Sequence, residues 1–189
     1  MGFIKVSLLL IGIGYCIWLL LALIRISIQR FLFFIKLKKT AVKVGLLSIK
    51  TNPGWMLSWN KATKPSFIIE TPDSIYVVKL CGALRKTDAY IFIDKSLWIK
   101  RRMIRGGKDL EIKLSPLVID NKINLSYKTV KTVYLFLPKA SIYFIRFGNQ
   151  LTRILPGDVV YDGTVHDADS FLTSLRHDAE RRQESYEVL

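Results

Sequence analysis

The sequence predicts an α+β protein with one N-terminal transmembrane helix and a juxtamembrane basic helix, followed by a predominantly β-sheet domain with a C-terminal helix. Three observations predict it. Residues 6–24 form an apolar run of nineteen positions without a charge. Residues 25–44 place basic side chains at helical spacing. From Leu46 onward, short runs rich in β-branched and aromatic residues alternate with turn signals.

The apolar run comes first. At 1.5 Å per residue it reaches roughly 28 Å, against a hydrocarbon core of about 30 Å. Only a helix satisfies its backbone groups internally in lipid. Gly12 and Gly14 are spaced two apart and so form no GxxxG dimerisation face. A cleaved signal peptide is the rival reading, but the run ends Leu-Ala-Leu-Ile-Arg, without the small-residue pattern that cleavage requires. Lys5 stands on one side of the run; Arg25, Arg30, Lys36, Lys38, Lys39 and Lys43 stand on the other. That asymmetry predicts a single-pass protein of the cell membrane, N-terminus outside and C-terminal domain in the cytoplasm.

In residues 25–45, Arg25, Gln29, Lys36 and Lys43 fall on one helical face, and Ile28, Leu32, Ile35 and Val42 on the opposite one. Two readings stand side by side. In one, the helix lies in the membrane interface with Arg30, Lys36, Lys38, Lys39 and Lys43 on lipid phosphates. In the other, it is the first helix of the soluble domain, its apolar side on the core.

Residues 46–178 are read as one cytosolic domain dominated by one sheet. Candidate strands are 46–50 and 56–59 around Asn-Pro-Gly, then 66–70 and 75–80 around Thr-Pro-Asp-Ser, a good type I turn. Strands at 89–93 and 97–104 flank Asp-Lys-Ser, and 110–114 alternates apolar with charged residues. Residues 133–137 are continuously apolar and so predict a central strand buried on both faces. Strands at 142–147 and 159–161 follow, then a helix capped by Asp167 or Asp169, with Phe171, Leu172 and Leu175 as its apolar stripe. Residues 179–189 read as a charged, solvated tail.

The net charge of +14 is unevenly placed: residues 1–69 hold ten Lys/Arg and no acid, whereas residues 153–189 hold four basic and eight acidic side chains. A domain resting on anionic lipid accounts for that gradient better than a uniformly basic nucleic-acid binder does. Cys16 and Cys81 are the only cysteines, too few for a disulfide framework or a tetrahedral zinc set. No P-loop, dinucleotide, zincin or nucleophile-elbow motif occurs, and no metal, cofactor or small-molecule substrate is indicated. His166 and His177 read as surface histidines flanking a helix start. Lys95, Lys100, Arg101, Arg102, Arg105 and Lys108 form the densest basic cluster of the domain, suited to lipid or nucleic-acid phosphate, or simply a solvated hairpin face.

Residues 64–79, KPSFIIETPDSIYVVK, carry a family resemblance. They resemble the central hairpin of the restriction-endonuclease-like nucleases, with Pro-Asp at the start of one strand and Glu-x-Lys at the end of the next. The resemblance implies two carboxylates holding Mg²⁺ and a lysine placing the attacking water. Pro65 and Lys79 match, whereas Ser66 and Val77 replace the acids, and Glu70 and Asp73 lie too far along the hairpin to substitute simply. It therefore implies the fold without the nuclease activity.

The leading expectation is a non-enzymatic, membrane-tethered binding or scaffolding domain with its basic face toward anionic lipid. The alternatives are a degenerate nuclease-like protein that binds or processes nucleic acid, with Lys79 and Glu70 as its site, and an accessory subunit whose hairpin edges pair with another membrane protein.

Overall fold

The computed structural model describes residues 2–46, 48–53, 55, 65–82, 89–101, 110–116, 128–140 and 142–187. The chain is α+β. Among the described residues, a helix, α1 (Gly2–Val44), is followed by eleven strands: β1 (Ser48–Thr51), β2 (Phe67–Glu70), β3 (Ser74–Cys81), β4 (Ala89–Ile93), β5 (Ser96–Arg101), β6 (Leu110–Pro116), β7 (Thr129–Phe136), β8 (Ile142–Phe147), β9 (Gln150–Ile154), β10 (Val159–Val160) and β11 (Gly163–Asp167). Helix α2 (Ala168–Glu187) follows them.

The strands form two sheets among the described residues, not the single dominant sheet the sequence suggests. The first has the order β1-β2-β3-β7-β11-β10, and the second β6-β5-β4-β8-β9. Each is built around parallel pairs, β3 with β7 and β7 with β11 in the first, β4 with β8 in the second. Such pairs join segments far apart in the chain, so the local turn pattern does not report which sheet a strand enters.

The layers follow from side-chain alternation. On one face of the six-stranded sheet, Phe67, Ile69, Tyr76, Val78, Leu80, Val133 and Leu135 pack with Phe33 and Leu37 of α1 and Phe171, Leu172 and Leu175 of α2. On its other face, Cys81, Tyr134, Phe136 and Val165 pack with Tyr90, Phe92, Leu97, Ile99, Tyr143 and Ile145 of the five-stranded sheet. The result is helices on sheet on sheet. The middle layer is buried on both sides, which accounts for the unbroken burial of β3 and the continuous apolar run in the second half of β7.

Local chemistry sets the element ends. The β4–β5 loop has two residues, Asp94 and Lys95, with φ of +46° and +53°. Both central residues are thus left-handed, as the right-handed twist of a tight hairpin requires. Asp167 caps α2: Ser170 N–H donates to Asp167 Oδ1 at 2.9 Å, and Asp167 N–H donates to Ser170 Oγ at 3.0 Å. Asp169, the other candidate cap, lies one position inside the helix.

Several expectations are corrected. Residues 179–187, read from sequence as a solvated tail, form the last turns of α2, with 180, 181, 183 and 184 exposed. Arg182 fixes them, donating to Asp178 O at 3.1 Å and to Val44 O at 3.5 Å, with Asp73 at 3.7 Å. Strands β9 and β11 lie in segments without a strong apolar run. Residues 25–44 continue the helix of the apolar run in one unbroken element. The candidate strand at 56–59 and the end of the one at 97–104 lie outside the described residues.

Candidate functional site

Helix α1 has two halves in different surroundings. The first contains a stretch long and apolar enough to cross a membrane, with none of it buried in the protein. Leu10, Ile11, Tyr15, Trp18 and Leu21 are all exposed. The second half enters the core through Arg30, Phe33, Leu37, Thr40 and Val44, which recur at intervals of three and four. Phe33 sits 6.1 Å from the ring of Phe67 and 6.4 Å from that of Phe171, where α1, the sheet and α2 meet.

This burial corrects the face assigned from sequence. In the reading that packs the apolar side on the core, Ile28, Leu32, Ile35 and Val42 belong there; Ile28, Leu32 and Val42 are exposed and Ile35 is half-buried. Between positions 24 and 37 apolar side chains cover every side but that of Arg25, Gln29 and Lys36, so the packing of Phe33 and Leu37, not local periodicity, selects the buried side. Arg30, expected on lipid, is 2% exposed and donates from Nη1 to the carbonyl of Trp55 at 2.9 Å. Trp55 itself is buried against Phe34 and Phe67, which fixes that carbonyl in place. Of the remaining predicted lipid contacts, Lys36 leans toward Asp169 at 3.8 Å. Lys38 lies over the Phe34 ring at 4.9 Å, while Lys39 and Lys43 are exposed.

The nuclease-like positions separate. Lys79 is buried on β3, its ammonium 5.9 Å from the centre of the Tyr134 ring on the side facing the second sheet. Glu70 sits opposite Ile75 at the other end of the hairpin, four residues from Lys79 along the strand, or about 13 Å. There it accepts hydrogen bonds from Lys128 Nζ at 2.7 Å and Ser48 Oγ at 3.2 Å. Those bonds hold its carboxyl below the usual range. Ser66, at the expected aspartate position, accepts from the backbone N–H of Leu80 at 3.3 Å. Val77, at the expected glutamate position, is buried. Among the described residues, no group of three or more His, Cys, Asp or Glu side chains is placed to hold a metal ion.

Of the basic cluster, Lys100 and Arg101 lie on β5, and Arg102, Arg105 and Lys108 lie outside the described residues. Leu97 and Ile99 point into the core, so Trp98 and Lys100 occupy the outward face of the second sheet. Lys113 stands 6.0 Å from the Trp98 ring. The neighbouring Glu111 is held by both guanidinium nitrogens of Arg146, at 2.6 and 3.0 Å, so this face mixes both signs of charge.

A second feature was not legible in the sequence. A groove of about 740 Å³ runs between α2, β7 and β11 and the loop before β10, with Tyr76, Lys131, Thr164, His166, Ser174 and Asp178 along it. Lys131 Nζ meets Asp178 Oδ2 at 2.7 Å, and the Tyr76 hydroxyl donates to the same oxygen. Burial works against the Asp178 charge, but these two bonds and the nearby Arg181 outweigh it and hold the carboxyl below its ordinary value. The Tyr76 phenol is pushed up, chiefly by burial and then by its bond to Asp178. His166 is not a surface histidine: it is 5% exposed, packs edge-on against Phe171 and places Nδ1 3.2 Å from Ser170 Oγ. Burial lowers its pKa, and Asp167 and Asp178 offset part of that. Asp178 is thus engaged rather than poised as a base. Lys131 and Arg181 balance Asp162 and Asp178 along the groove, so its formal charge selects neither sign of ligand. What made these residues hard to find is separation: Tyr76 and Asp178 are 102 positions apart.

Comparison with family models, with curated proteins and with solved structures finds no match to this chain.

Proposed function

We propose that this chain is a single-pass protein of the cell membrane whose cytoplasmic domain serves as a binding or scaffolding module, its basic side toward anionic lipid. One observation carries the reading: the helix that exposes an apolar, membrane-length stretch is the same helix that enters the domain core at Phe33 and Leu37. Leaving the first half in water would expose a large contiguous apolar surface, far beyond the patches soluble monomers show. The excess of Lys and Arg just after that stretch supports a cytoplasmic domain. Lys38, Lys39 and Lys43, exposed on α1, are the side chains available to lipid phosphates.

The test is direct. The full chain should stay with membranes through alkaline carbonate extraction, and a tag on Leu189 should be digested by protease only after the cells are opened. Extraction as a soluble monomer, or digestion of the tag on intact cells, overturns the reading.

A nuclease-like, nucleic-acid-binding protein is the second reading. It draws on the order of α1, the β2–β3 hairpin and the central strand β7, with Lys79 buried on β3. Full-length protein in detergent is expected to show no Mg²⁺-dependent DNA cleavage, given Ser66 and Val77 at the acidic positions. Cleavage lost in Lys79→Ala would restore the nuclease reading.

A further inference from the structure

The apolar run in the sequence stops at Arg25, but the apolar surface of the folded helix does not. Ile24, Ile28, Phe31 and Leu32 are 47%, 53%, 51% and 53% exposed. At about 100° per residue they fall within an arc of roughly 100° on the side turned away from the core. Arg30 is the one charge between Arg25 and Lys36 in the sequence. It is folded inward to the carbonyl of Trp55, so it does not interrupt the outward surface. On that side the apolar surface runs from Val6 to Leu32, about 40 Å at 1.5 Å per residue, longer than a hydrocarbon core of about 30 Å. Beyond Leu32 toward the domain the exposed cations are Lys36, which leans toward Asp169, then Lys38 and Lys39.

We propose that the outward face of α1 over residues 24–32 is seated in the headgroup–acyl boundary of the leaflet next to the domain, with Lys38 and Lys39 at the phosphates. This rests on the membrane reading above and adds to it how the domain meets the bilayer: it lies against the leaflet. The occupant is lipid rather than a second helix for two reasons. The face continues the apolar surface of the first half without a break. It also consists of large side chains, where close helix–helix contact in membranes favours small ones. Arg25, exposed beside this stripe, has a stem long enough to carry its charge toward the headgroups.

The test uses the full chain with Cys16→Ser, reconstituted into phosphatidylcholine–phosphatidylglycerol vesicles. Cys81 is kept, because it is fully buried and burial pushes its thiol up to about 12. Single cysteines at Leu10, Ile28, Phe31, Leu32 and Val42, all exposed positions, are labelled with an environment-sensitive fluorophore. The background without an added cysteine should take no label. Lipids carrying a quencher near the headgroup should quench labels at 28, 31 and 32 several-fold more than the label at 42. Aqueous iodide should quench only the label at 42, and deep acyl-chain quenchers the label at 10. If 28, 31 and 32 follow 42 into water while 10 stays in lipid, the seating is wrong and the anchor stands. If 10 is also reached by iodide, the membrane reading fails with it. If 28, 31 and 32 are shielded from both quenchers and Ile28→Cys crosslinks to a second copy, the face is a protein contact and the proposal is overturned.

Discussion

The guanidinium of Arg30 donates to the carbonyl oxygen of Trp55, tying the middle of α1 to a turn twenty-five residues further on. The charge sits in the core, not among the surface cations it neighbours in sequence. Arg30→Ala should therefore destabilise the domain by about 3 kcal/mol, the scale of losing a buried, charge-assisted contact. A thermal melt in detergent would read this as a lowered midpoint, while binding to anionic vesicles stays unchanged. A variant that melts normally but loses lipid binding would return Arg30 to the surface.

Gly163 permits the close approach of β11 to β7. A Cβ there would meet Tyr134 Cε2 at 2.6 Å and Thr132 Cγ2 at 3.1 Å. The Tyr134 ring is fully buried and has little room to move. Gly163→Ala should cost about 1–3 kcal/mol by overpacking. Pairing it with Tyr134→Leu should recover part of that loss in the same denaturation assay.

Lys95 holds a left-handed conformation at φ +53° in the β4–β5 turn. A side chain there costs about 1–2 kcal/mol relative to an unstrained backbone, and glycine does not. Lys95→Gly should therefore raise stability, by about 0.5–1 kcal/mol once the entropy of a freer unfolded chain is deducted. A lower melting midpoint would count against the turn geometry.

Two windows of acid sensitivity are expected. Burial depresses the folded pKa of His166, so the unfolded chain binds more protons as pH falls through about 6.5, and stability drops from there toward the folded value. Asp178 is depressed too, although burial opposes it, because Lys131 and Tyr76 favour the carboxylate. Its contribution is complete above the ordinary carboxylate value and is lost as pH falls through the folded one. His166→Asn should flatten the denaturation midpoint between about pH 7 and pH 5.5 and leave the lower window in place. An unchanged slope would mean His166 protonates freely in the folded state.

Lys38 and Lys39 should react more slowly with an amine-acylating reagent in anionic nanodiscs than in zwitterionic ones. Each cation near an anionic surface gains about 1 kcal/mol, and added salt should erase the difference. Equal rates in both lipids would remove these lysines from the interface.

The local grammar of the chain was largely legible. The β2–β3 hairpin follows from its Pro72-Asp73 turn, and β8 has the bounds its apolar run suggests. The assignment of strands to two sheets was not, because it rests on parallel pairing such as β4 with β8, whose partners are about fifty residues apart. Strand β11 escaped notice since Gly163, Thr164, His166 and Asp167 give it almost no apolar signature; burial comes from its place beside β7. The buried side of α1 is not readable from sequence where Ile24 through Leu37 puts apolar residues on every side but that of Arg25, Gln29 and Lys36. The groove around Asp178 needed the fold, for it joins β3, β7 and α2 from distant parts of the chain.

No break separates the outer end of α1 from the part that packs on the sheet; the helix continues to Val44, and the left-handed Gly45 follows it. A stiff rod of this kind has no swivel at the point of entry. Whatever azimuth the far end adopts, the β-layers inherit, and a domain so mounted addresses its surroundings from one fixed bearing instead of sweeping freely on a tether.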